Sequence, residues 1–316
     1  MYYPNLRVKA GELKALSHAP DEWLGKIFPI WNVEFLDSFE KAIPAVASTW
    51  LDGSIMDLSR FNLKRVSAPI QQTIVQHGLR FAIDPFDISH LHSSVIAAFE
   101  ANPIFRIAFN DDVSIFDDTA FDELEIILSP YADVDNTLLL IDIGEADKTM
   151  VSVSTNIARV IEKFHDLGFS NIVFSSGAFP TTLQNIVGDE EIPRLDKELY
   201  DNVTNSLTFD LHYGDYGTLS PLWDSGETRR SGHIAIKYTL DDHWLVLRQK
   251  GKNTQAIMEL AEFLILHTDY RGPAFSWADR NWHVKTLTPP QAGPGNSTGH
   301  VAEFMHHHFA QVLFNG

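Results

Sequence analysis

Four aspartates sit at or near the ends of short apolar runs. Asp57 closes "SIMD", Asp84 closes "LRFAID", Asp142 closes "LLLID", and Asp210 lies inside "LTFDLH", which ends at His212. Carboxylates brought together in pairs can hold a hard divalent cation through oxygen, or divide acid and base roles between them. Asp57, Asp84 and His212 would form a mixed oxygen and nitrogen set suited to Mg²⁺ or Mn²⁺. Asp142, Asp210 and Asp215, with Tyr216 and Lys237, are the candidate reacting groups, and metal-assisted hydrolysis is the chemistry they would support. For any one aspartate the competing reading is a helix cap or an acceptor for loop amides. His90 and His92 of "SHLHSS" are a further pair of metal-ligand type at a helix start.

A ligand site is suggested by "GPGNST" directly before the last helical pattern: Gly293, Gly295, Asn296, Ser297 and Thr298. Glycines let backbone approach a ligand, and free amides at a helix start attract anions. The plain alternative is a turn with Ser297 or Thr298 as cap. Trp277 in "PAFSWADRNW" could stack on a base or sugar, or simply pack. Arg248, with Lys237, Arg229 and Arg230, offers cations for a phosphate, or partners for Asp241 and Asp242. In "MHHHF", helical spacing puts His308 inside the apolar stripe, His306 opposite and His307 on the flank, so three adjacent histidines cannot share one metal. His308 reads as a core histidine, and His307 as a group that could reach a site edge. No nucleophile elbow, Walker loop or HExxH motif is present.

The elements that must position these groups repeat along the chain. Eight apolar runs close on polar residues: Asn32, Asp57, Asp84, Asn110, Asp142, Ser175 with Ser176, His212, and Lys237 with Tyr238. Between them lie amphipathic helices. Ile157, Val160, Ile161 and Phe164 share one face after Ser154, and Ile257, Leu260, Ala261 and Leu264 share another. Pro69 marks the first turn of a third helix that stops at Gly78, whereas Pro44 interrupts the pattern over 37–50. Buried strands alternating with helices predict an α/β fold, a (β/α)8 TIM-barrel-like ring with chemistry at the carboxyl ends of the strands. A doubly wound open sheet is the alternative, and it lacks the glycine-rich fingerprint expected after its first strand. From residue 233 the pattern changes to a hairpin around "LDDH" and further helices. We read 1–316 as a single barrel domain with a C-terminal elaboration over 233–316.

Composition bounds the rest. The 316 residues are 44% hydrophobic, ample for a large core. Forty-two acidic against 24 basic residues leave a net charge of −18, which argues against a nucleic-acid partner. The acidic run at 111–125 reads as a solvated face, with docking of a basic partner as the alternative. The absence of cysteine, of an N-terminal apolar signal and of any ~20-residue apolar stretch predicts a cytoplasmic protein without a membrane span.

Several stretches in order resemble the beta-protein family of phages and bacteria: "YYPNLRVKAGELKAL", "LLIDIG", "SSGAFP", "GDYG", "IKYT…HWLVLRQ", "GPAFSWAD", "GPGNST" and His307–His308. The resemblance implies a setting of phage infection or antiviral defence and no defined reaction. The family tends to carry an acidic residue where this chain has Asn32. Two functions follow as expectations. One is a metal-assisted hydrolase acting on a small phosphate-bearing or nucleotide-like ligand. The other is a non-catalytic barrel that senses or grips a protein partner.

Overall fold

The computed structural model describes residues 1–109, 118–132, 134, 136–222, 232–251 and 254–315. Asn110, most of the acidic run at 111–125, and Arg229 and Arg230 therefore lie outside the described side chains. The chain divides into two compact units: Met1–Val8, Leu24–Gly177 and Leu195–Tyr216 in one, Lys9–Trp23, Ala178–Arg194 and Gly217–Gly316 in the other. In chain order the strands are β1 (Tyr2–Arg7), β2 (Ile30–Asn32), β3 (Ile55–Asp57), β4 (Arg80–Ala82), β5 (Ile104–Ala108), β6 (Leu138–Glu145), β7 (Asn171–Gly177), β8 (Gly188–Pro193), β9 (His212–Asp215), β10 (His233–Thr239) and β11 (His243–Lys250).

The first unit is a parallel ring. Its strands run in the order β4-β3-β2-β1-β9-β7-β6-β5, every neighbouring pair parallel. A parallel bridge between Ile83 and Phe105 joins the two ends. Ile83 N donates to Ile104 O at 3.1 Å and Arg106 N to Ile83 O at 2.9 Å. The predicted (β/α)8 barrel is thus present, and the open sheet is not. Its first strand is Tyr2–Arg7 rather than "KIFPIWN", and its eighth is His212–Asp215 rather than "HIAIKY". Tyr2–Arg7 carries Pro4 and Asn5 and ends in a charge, so no continuous apolar run marks it in the sequence.

Helices cover the ring as the spacing predicts. In Ser154–Asp166 the residues Ile157, Val160, Ile161 and Phe164 are buried, and the chain leaves the helix through Gly168 at φ 111°. Ala68–Gln76 begins with Pro69 in its first turn. Phe39–Thr49 continues through Pro44, which sits on the exposed side while Phe39, Ala42, Ile43 and Val46 are buried. Around the pair His90 and His92, expected at a helix start, the chain forms a 3-10 turn, Pro85–His90, and the helix Ile96–Ala101 follows later.

Inside the ring, side chains form layers. Tyr3, Ile30, Ile55, Ala82, Ile104, Leu138, Leu140 and Val173 make one apolar cluster. Side chains alternate along a strand, so residues two further on face the same interior. Two residues on from Tyr3, Ile30, Ile55, Ala82, Ile104, Leu140 and Val173 stand Asn5, Asn32, Asp57, Asp84, Arg106, Asp142 and Ser175. The barrel is filled by apolar side chains at one level and by polar ones at the next, toward the carboxyl ends.

The second unit holds an antiparallel sheet, β10-β11-β8, with β10 and β11 paired from His233–Lys250 to Thr239–Trp244 around the predicted turn. Ile236, Tyr238, Leu245 and Leu247 pack on Ile257, Leu260, Ala261 and Leu264 of the helix Thr254–Leu266. The last helix, Ser297–Asn315, is buried on more than one side. His306, His307 and His308 are all buried, contrary to the outward placement expected for His306, because a helix packed on several neighbours has no solvent face there. The His306 ring packs at a tilt against Trp23 and Trp277, and its Nε2 donates to His18 O at 3.2 Å. Burial pushes its pKa down to about 4, the nearby His18 and His307 rings adding to the shift. An unfolded histidine titrates near ~6.5. Between these values the unfolded chain binds a proton that the fold refuses, so the stability contribution of His306 is complete above pH ~6.5 and is lost as pH falls toward about 4. Urea midpoints at pH 7 and 4.5 should therefore diverge less for His306→Gln than for the natural chain.

Candidate functional site

Arg106 is the centre of the polar layer. It interrupts the apolar strand "IFRIA" and is 3% exposed. Its Nη1 donates to Asp57 Oδ2 and, at 3.2 Å, to Asn32 Oδ1. Its Nη2 donates to Asp142 Oδ2 and, at 3.1 Å, to Tyr216 Oη. Tyr216 Oη donates in turn to Asp142 Oδ2 at 2.6 Å. Asp57 and Asp142 are buried almost completely. Their second oxygens are also engaged: Asp57 Oδ1 accepts from Ser59 N at 3.0 Å and Ser59 Oγ at 2.6 Å, and Asp142 Oδ1 from Gly144 N at 3.1 Å. Asn32 supplies a neutral acceptor to the same guanidinium.

The electrostatics follow from burial and neighbours. Burial works against the charge on Arg106, but Asp57 and Asp142 outweigh it and hold the guanidinium charged. Burial, reinforced by Asp142, pushes the Tyr216 phenol far above its ordinary range, so it remains a hydrogen donor. Arg60, on the loop after β3, feels the same groups. Burial and then Arg106 lower its pKa, while Tyr216, Asp57 and Asp142 act in the opposite sense.

Two glycines let "SSG" and "GDY" interlock beneath this cluster. A Cβ on Gly177 would lie 2.9 Å from Tyr216 Cδ2, and one on Gly214 would lie 2.8 Å from Ser175 Cβ. The Tyr216 ring and the Ser175 side chain occupy those spaces. The polar density at the end of β9 is thus partly the packing of one strand end against the next.

Several predicted site residues stand elsewhere. Asp215 faces the outside of the ring, beside Tyr2 and Tyr213 rather than Tyr3. Its oxygens accept from Tyr2 Oη at 2.7 Å and Tyr213 Oη at 3.0 Å. Asp210 precedes β9, and His212 opens it, so both are at the amino end, opposite the polar layer. His212 stacks on Tyr3 there, and burial with the chain's amino group lowers its pKa. The strand begins later than "LTFDLH" suggested, which reverses the end these groups occupy. Asp84 belongs to the polar layer by position, yet caps the turn Pro85–His90 by accepting from Phe86 N at 2.9 Å. Burial raises its pKa despite that bond. The set Asp57, Asp84 and His212 is not assembled. Among the described residues no group of three histidine or acidic side chains could hold a metal ion. His90 instead pairs with Asp87 at 3.3 Å, and His92 with Ser94.

The remaining candidates lie in the second unit. Lys237 Nζ donates to Thr218 O at 2.7 Å and rests 4.1 Å over the Phe179 ring. Arg248 Nη1 donates to the carbonyls of Gln184 and Ile186, fastening the loop before β8. Trp277 stacks on His18 with ring centroids 3.9 Å apart. In "GPGNST" the cap is Asn296, not Ser297 or Thr298. Its Oδ1 accepts from Gly299 N at 2.9 Å, Gly295 turns the chain at φ 80°, and Ser297 opens the helix. A shallow groove beside Gly293 is lined by Gln255, Met258 and Pro290. His307 is not at a site edge. Its Nδ1 meets Asp279 Oδ2 at 2.8 Å and its Nε2 meets Thr239 O at 2.9 Å. Asp279 also accepts from Tyr238 and Ser276, so "IKYT", "SWAD" and the histidine pair meet in one buried knot.

Arg106 was missed from the sequence, as was Arg60. The signal existed: Arg106 is the one charge in an otherwise apolar run, and a buried guanidinium requires carboxylates.

No curated protein matches the chain. Two solved structures of the Paramecium bursaria Chlorella virus arginine decarboxylase, one bound to agmatine, are similar at 9% and 11% identity with TM-scores of 0.40 and 0.41. The alignments cover 67% of this chain and 56% of theirs, so the chain matches little more than half the length of those structures. The family model described as "Beta protein" matches residues 105–314, which run from the strand of Arg106 to the end of the histidine-bearing helix. With more than half of its length matched, the chain belongs to the Beta protein family.

Proposed function

We propose that the protein is a hydrolase of small phosphate-bearing ligands, with Asp142, Tyr216, Arg106 and Asp57 in the barrel mouth as the reacting cluster. The observation that carries this reading is the change of the interior from apolar to polar toward the carboxyl ends of the strands. Burying two carboxylates and a guanidinium adds little net stability over apolar filling. Such groups concentrate where chemistry needs them. In this reading Asp142 exchanges the proton, Tyr216 stays protonated and donates, Arg106 holds the Asp142 carboxylate in place, and Arg60 meets the phosphate at the rim. Arg106 occupies the space between Asp57 and Asp142 that a Mg²⁺ or Mn²⁺ ion would need, so the positive charge at this centre is supplied by the chain.

The test is hydrolysis of a panel of nucleotides and sugar phosphates by the full chain, with and without EDTA. Asp142→Asn should lower turnover by about 10²–10⁴-fold, the range for losing acid–base catalysis, while unfolding stays cooperative. Unchanged turnover in that variant ends the proposal.

A second reading has its own observation: both Arg106 amino groups already meet two acceptors each, so the cluster is complete without a ligand. The barrel would then be a non-catalytic module gripping a protein partner, in the setting of phage infection or defence. No thermal shift with any of the panel, together with a stoichiometric co-purifying protein, favours it.

A further inference from the structure

We propose that β8 is a docking edge for a basic, extended segment of a partner protein, which adds to the sheet β10-β11-β8 as a fourth strand. The inference is independent of hydrolysis and concerns the second unit alone. The edge of a sheet presents unpaired N–H and C=O groups that a strand of another chain can complete. The register says which groups of β8 are free. Arg194 N donates to Asp242 O at 2.8 Å, so the residue pairs bonded across to β11 recur at Ile192–Trp244, Glu190–Val246 and Gly188–Arg248. Leu240 N donates to His243 O at 2.9 Å, which fits the same alternation by turning His243, Leu245 and Leu247 toward β10. Asp189 and Glu191 therefore aim their backbone N–H and C=O groups away from the sheet, and among the described residues no strand lies there.

The opposite edge of the same sheet is treated differently. Thr239 O on β10 points outward by this alternation, and it accepts from His307 Nε2 at 2.9 Å, so the last helix covers that side. Every residue of β8 except Ile192 is exposed. Charge names the occupant. Asp189 and Glu191 share the face of Leu245 and Leu247, and Glu190 shares that of Trp244 and Val246, so carboxylates stand on both faces of the strand. Among the described residues the three acids have one ion-pair contact, Glu191 with His243 at 4.0 Å. A second copy of β8 would set like charges opposite one another, which opposes edge-to-edge pairing of the chain with itself. A strand with lysine or arginine at alternate positions meets the free amides and the carboxylates together.

The experiment is fluorescence anisotropy of the full chain with a labelled peptide, acetyl-Lys-Thr-Lys-Val-Lys-Thr-amide. Saturable binding is expected, and replacing every lysine of the peptide by glutamate should weaken it by at least about ten-fold. Two further peptides, N-methylated on the odd or on the even amides, keep the charges and remove main-chain donors. One of the two should lose at least about ten-fold, because only one set of amides faces β8. In the protein, Asp189→Lys with Glu191→Lys should reverse the preference toward the glutamate peptide. If that variant fails to fold, the methylated peptides carry the test on the natural chain. No saturable binding, or equal binding of the lysine and glutamate peptides, overturns the proposal. Binding that survives both N-methylated peptides marks charge attraction without strand addition and overturns it too, as does a preference that survives the two substitutions.

Discussion

Arg106→Met lowers the free energy of unfolding by about 3–5 kcal/mol, the usual consequence of removing one partner from a buried ion pair. The methionine fills much of the same space, so the loss is electrostatic rather than a cavity. Asp57 and Asp142 then remain in the barrel interior without their cation, each side chain at most 4% exposed. Total stabilities of about 5–15 kcal/mol make such a loss visible as a large fall in the urea midpoint at pH 7. The triple variant Asp57→Asn, Arg106→Met, Asp142→Asn should recover most of it, because no buried charge is left. A single Arg106→Met variant within about 1 kcal/mol of the natural chain would mean that water reaches the carboxylates, and the dry site described above would not exist.

Lys285→Met should be similarly severe, by about 3–5 kcal/mol, and for the same reason in the other unit. Lys285 Nζ donates to Glu303 Oε1, joining the helix Trp277–Lys285 to the last helix, with both side chains buried. Glu303 Oε2 has no hydrogen-bond partner, so the ammonium is its main compensation. The double variant Lys285→Met, Glu303→Leu replaces the pair with apolar volume and should return near to the natural stability. Neither residue belongs to the Arg106 cluster, so under the proposed function hydrolysis per folded molecule should be unchanged. That separates this pair from the Arg106 cluster, in which stability and turnover fall together.

Much of the architecture could be read from local pattern. The helices at 154–166 and 254–266 are amphipathic enough that one face had to be buried, and the β10–β11 hairpin followed from two alternating runs around "LDDH". Asp57 and Asp142 were recognisable as strand ends because an apolar run stops at each. Tyr2–Arg7 and His212–Asp215 were harder. Hydrogen bonds from neighbouring strands make them strands, and neither has a run of its own that would require it.

The residue types, then, settled that strands alternate with helices and that carboxylates end two of them, since apolar periodicity is a property of neighbours in the chain. Which cation those carboxylates meet was settled by ring closure. Asp57, Arg106 and Asp142 are each on separate strands, out of register with one another, and only the stagger of strands in a closed parallel barrel sets them on one interior level. Strand register also turned Asp215 outward and put His212 at the opposite end, because a shift of one residue, or of one strand boundary, reverses the face and the end at which a side chain appears.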